Sequence, residues 1–132
     1  MINPSRSLEQ LEGDSWGAPP ADATRLISTA YALRRKPVGD LSAEDLRLLL
    51  GQHIGVETLV PLALTLLEDD PLAEGDFYPG DLLVAVLKAP ATHWPAHPGD
   101  LDRVRRVVEA LPGPLGPALQ PPVDAFRAAH LG

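Results

Sequence analysis

The residues with the most chemical potential are the four histidines, His53, His93, His97 and His130. His93 and His97 stand four apart, the spacing that lets one helix face offer two imidazoles to a metal. Pro95 lies between them and Pro98 follows, so a helix presenting both is not expected. No Asp or Glu is adjacent, and the helix of a zincin-type motif is missing. They read as ordinary loop histidines. Gly113-Pro114-Leu115-Gly116-Pro117 is glycine-rich, but it has no lysine and follows no strand, so it reads as a linker and not a phosphate loop. No Gly-x-Ser-x-Gly elbow is present, and no serine neighbours a histidine. The carboxylates fall at polar, cap-like positions and not in the desolvated pairs that acid–base catalysis needs. The chain has no cysteine, which excludes disulfides, thiolate metal sites and thiol redox chemistry. This inventory points to no enzyme, no metal and no cofactor.

Binding chemistry is better represented. The stretch from Glu68 to Asp81 holds Glu68, Asp69, Asp70, Glu74, Asp76 and Asp81 with no base, and also Phe77 and Tyr78, the only adjacent aromatics. Two readings compete. In the structural one, Asp76 caps a helix, Asp81 is a first-turn acid and Phe77 is a core residue. In the other the segment is a binding face: Asp69, Asp70, Glu74 and Asp76 steer a basic partner and Tyr78 anchors it, with Glu68 and Asp81 at the segment's ends. The charge distribution favours a basic partner. Net charge is -7, and residues 37–90 carry ten acids against two bases, Arg47 and Lys88, while the flanking thirds are near neutral. Such a field repels nucleic acid. Arg34-Arg35-Lys36 is a possible nucleic-acid patch, but it reads better as a helix C-terminus complementing its dipole.

The elements that carry these residues read as helices in one domain of 132 residues. Sustained apolar/polar alternation is absent and β-branched residues are sparse. Ser7 can cap a short helix through Leu11 that stops at Gly13. Pro19-Pro20 opens a longer helix, with Ala23, Leu26, Ile27, Ala30 and Tyr31 as its apolar stripe and Arg34 to Lys36 in its last turn before Pro37. Ser42 and Asp45 resemble a capping box for a helix burying Leu46, Leu49 and Leu50. Glu57 to Asp69 is apolar almost all round, the pattern of a central helix, and Thr58 as its N-cap would put Pro61 harmlessly in the first turn. Leu72 to Tyr78 is a loop. A helix then starts at Pro79 or Gly80, residues 90–99 are irregular, another helix opens at Asp100, and a last one runs from Pro122 to His130. The expectation is an all-α, irregular single-domain bundle of about seven helices. The opening Met1-Ile2-Asn3-Pro4-Ser5-Arg6 lacks the pattern of a secretion signal, and Leu59 to Leu67 is too short to span a membrane, so a cytosolic protein with no membrane partner is expected. No heptad seam indicates a coiled-coil dimer, and a monomer is expected.

Long, ordered pieces of the chain resemble the contact-dependent growth inhibition (CDI) immunity proteins of bacteria. They are Leu8 to Thr24, Ala32 to Pro37 with Asp40-Leu41 and Glu44 to Arg47, then Gln52, Ile54-Gly55 and Leu59 to Leu64, and most specifically Pro71 to Leu83. The resemblance covers roughly residues 8–87. It implies a small cytosolic protein that binds and neutralises a cognate toxin C-terminal domain, often a basic nuclease, delivered by neighbouring cells. The other binding role open to such a chain is that of an adaptor or chaperone for a secreted effector.

Overall fold

Helix formation begins where Ser7 closes a capping box with Gln10: its hydroxyl accepts from the Gln10 N–H and the Gln10 side chain accepts from the Ser7 N–H. In the computed structural model, which describes residues 3–131, eight α-helices follow one another: α1 Leu8–Glu12, α2 Arg25–Leu33, α3 Ala43–Gly51, α4 Val56–Asp69, α5 Asp81–Leu87, α6 His93–Ala96, α7 Pro98–Glu109 and α8 Gln120–Phe126. A 3-10 turn at Val38–Asp40 and a π turn at Arg127–Leu131 complete the order, and the described residues form no sheet. Met1 and Ile2, the start of the segment read for a secretion signal, lie outside the described residues, as does Gly132. Among the described residues no helix is long and apolar enough to cross a membrane.

The helix the fold encloses is α5, not the apolar α4. Every residue from Asp81 to Leu87 is buried, whereas α4 buries Leu59, Val60, Ala63, Leu64 and Leu67 and leaves Leu66 exposed. α3 packs along α5, and α4 lies against α3, α5 and α7, so the core runs through leucines and valines of four helices. α4 starts earlier than expected. Gly55 precedes it with φ +65°, and a side chain there would lie 2.8 Å from a methyl of the buried Leu8, so only glycine fits. Pro61 therefore falls in the second turn, and the Glu57 carbonyl loses its helical donor.

Further expectations are corrected. α2 begins after Thr24, whose hydroxyl caps the Ile27 N–H, and Pro19-Pro20 lie outside it. Its buried line passes through Ala30 and Leu33, with Leu26 outside. Arg34, Arg35 and Lys36 follow the helix and pair separately with Glu12, Glu9 and Asp45, so they are internal staples and not a basic patch. Residues 90–99 are not irregular throughout. α6 and α7 occupy them because prolines at the start of a helix cost no hydrogen bond: Pro98 sits in the first turn of α7. His93 is consequently buried, with Nε2 3.1 Å from an Asp100 carboxylate oxygen and its ring stacked on His97 at 4.4 Å. His93 is therefore no loop histidine, whereas His97 is the single residue linking α6 to α7. Among the described residues no group of three His, Cys, Asp or Glu side chains is placed to hold a metal.

Candidate protein-binding surface

The link between α4 and α5 is held in place by its own amides. Gly75 N–H and Phe77 N–H donate to the two oxygens of Asp81, at 2.6 and 3.1 Å, and Asp76 N–H between them donates to Glu44 at 2.9 Å. Asp81 is the first residue of α5 and is 3% exposed; Glu44 lies in the first turn of α3, so both carboxylates sit where helix dipoles favour them. Arg47, one turn further along α3, completes the arrangement. Its Nε and Nη2 each approach Glu44 at 2.6 Å, and it lies 3.9 Å from Asp81. This bidentate pairing, more than the Asp76 amide, holds the Glu44 carboxyl below its ordinary value against the opposing effect of burial. A side chain at Gly75 would lie 2.5 Å from Glu44 Oε1 and displace the carboxylate that holds the Asp76 amide. The loop closes on itself through a single bridge between Glu74 and Pro79.

The consequence is a rigidly held aromatic facing solvent. Phe77 is 67% exposed, the most exposed large apolar side chain described, and the Arg47 guanidinium lies 4.4 Å from the centre of its ring. Phe77 is therefore no core residue. Tyr78, the expected anchor, is half-buried and lines a groove of about 410 Å³ between α3 and α5. Asp76 is no helix cap either, since Gly80 occupies the N-cap position of α5.

The seven residues singled out by sequence thus divide. Asp81 is an internal acceptor. Glu68 is paired with Arg103 at 2.7 and 2.9 Å, which lowers its pKa. Asp69, Asp70, Glu74 and Asp76 are exposed. Asp70 accepts from the Leu72 N–H in a local turn. Asp69 has no basic partner among the described residues, and it stands in the last turn of α4, where the dipole makes an acid unfavourable by roughly 0.3–1 kcal/mol. Fold stability gives no reason for it. Glu44, Arg47 and the outward Phe77 were missed, although Glu44 and Arg47 at i, i+3 on a capped helix were a readable signal of an ion pair.

An exposed acidic loop beside an outward aromatic has the chemistry of a protein-binding surface. The sequence profile of a family described as CDI immunity proteins matches residues 10–104, and the chain belongs to that family. The match covers more than half of the chain and extends past the resemblance noted above, through the first half of α7. No curated protein and no solved structure matches significantly. Members of this family are non-catalytic and associate with a cognate CDI toxin domain.

Proposed function

We propose that the protein neutralises its toxin in the cytosol, as a monomer, by covering a basic surface of the kind a nuclease uses to grip phosphate. The observation that carries this reading is the segment from Asp69 to Phe77: four exposed acids, of which Asp70 alone accepts a local turn bond, beside an aromatic the fold holds out of its core. Charges steer the encounter and the aromatic supplies the desolvated contact. Phe77 takes the anchoring role that spacing alone assigned to Tyr78. The test is association kinetics with the purified cognate toxin domain. Reversing Asp69, Asp70 and Glu74 to lysine together slows association about tenfold or more at low salt and flattens its salt dependence. An unchanged association rate, with the fold intact by circular dichroism, overturns the reading.

A further inference from the structure

The acidic middle third has two bases, and both line the same groove. Arg47 forms one wall with Phe77, Lys88 lies at the C-terminal end of α5, and Val84 and Ala85 lie between them. The two bases are not equivalent. The Arg47 fork is engaged by Glu44 and its face by Phe77. The Lys88 ammonium makes no ion pair among the described residues, and its contribution to the fold is through its carbonyl, which lies 3.0 Å from His53 Nε2. At about 410 Å³ the groove has the size of sites that enclose a ligand or a short protruding loop, and is larger than one side chain needs. Its surroundings are acidic, so an acidic group arriving anywhere else on this face is repelled, and Lys88 is where it is attracted.

We infer that the groove receives a protruding loop of the toxin that carries a carboxylate for Lys88 and an apolar neighbour for Val84, Ala85 and Phe77. The surface then reads its partner in two signs: a broad positive field for the exposed acids, and one projecting negative group for the groove. This rests on the toxin-binding reading. It assigns to the groove a different kinetic step, because Lys88, exposed in the free protein, is desolvated only once the loop has seated, and such a pair governs dissociation while charges that stay exposed govern association.

Gly51 supplies a clean blocking variant. It lines the groove at the end of α3, its φ is not in the left-handed region, and a side chain there meets nothing within 4 Å. Gly51→Phe therefore places a large ring on the groove's lining with no clash at its Cβ, and takes up part of the space a partner loop would need. Surface plasmon resonance with the purified toxin domain is expected to show at least about tenfold faster dissociation for Gly51→Phe and for Lys88→Glu, with association changed much less. A toxin variant with one surface Asp or Glu changed to Lys is expected to restore slow dissociation to Lys88→Glu. If both groove variants dissociate like the native protein while the triple acid reversal still slows association, the groove assignment is overturned and the acidic face stands. If the reversal has no effect while the groove variants do, the acidic-face reading falls alone. If the native protein forms no complex with the toxin, both fall.

Discussion

Two arginines in this molecule lie against aromatic rings, and they are used in opposite ways. Arg34, at the end of α2, is fully buried 4.1 Å from the ring centre of Trp16, donating to Glu12 and to the Asp14 carbonyl at 2.6 Å each. There the aromatic covers the charge, and the pair fastens residues 12–16 to α2. Arg47 remains partly open to solvent, and the charge supports the aromatic: Phe77 stands outward on a guanidinium held by Glu44. The difference lies in what holds the backbone. The segment around Trp16 is held chiefly through side chains reaching into it, whereas the loop around Phe77 is held by its own amides. An arginine–aromatic contact is therefore a staple in one place and a pedestal in the other, and only the pedestal leaves apolar surface for a partner.

The comparison can be broken by substitution. Arg34→Ala is expected to have the largest effect on stability, about 3 kcal/mol in urea denaturation, because it removes a buried paired charge and opens a cavity. Arg34→Met is expected to cost less, since it fills the space and removes a buried Nε that has no partner. Equal losses for the two would show that the paired charge, and not the packing against Trp16, governs this end. Phe77→Ala is next. Stability is expected to stay within about 0.5 kcal/mol, while toxin affinity falls roughly 30-fold, the mark of an interface anchor. A large stability loss would make Phe77 a structural residue and erase the contrast with Trp16.

The smallest effect concerns pH. The folded pKa of Glu44 lies below its ordinary 4.5, chiefly through Arg47. Its contribution to the fold is thus present above pH 4.5 and is lost as pH falls through the depressed value. Glu68, lowered by Arg103, acts in the same direction. The Asp76 amide proton, which donates to Glu44, is expected to shift in NMR spectra with a midpoint below 4.5, and Glu44→Gln should abolish that titration. A midpoint at or above 4.5 would mean that the carboxylate does not hold the loop.

Much of the fold was legible because local signals agreed with tertiary ones. Ser7 caps α1 and the capping box at Ser42 forms as its spacing requires, and the apolar spacing of Leu46, Leu49 and Leu50 marks the buried side of α3. The site was legible only in part. Inside a helix the period decides which way a side chain faces; in the loop at 72–79 no period operates, so Phe77 and Tyr78 could not be told apart. Asp81 looked like one more surface acid because its partners are backbone amides, which every residue has and no composition reveals. Arg34 looked like a dipole-complementing base because its partners, the Glu12 carboxylate and the Asp14 carbonyl, lie 22 and 20 residues away, beyond the reach of any local pattern. α6 was hidden by Pro95 and Pro98, which as helix starters obey a different rule from helix interiors.

The hold on the loop between α4 and α5 makes no use of the side chains at Glu74 and Asp76, only of amide groups that survive any substitution there except proline. The fold is thereby indifferent to what those positions display. On the proposed toxin-binding reading, a lineage facing a new toxin can rewrite both positions without renegotiating the architecture that presents them.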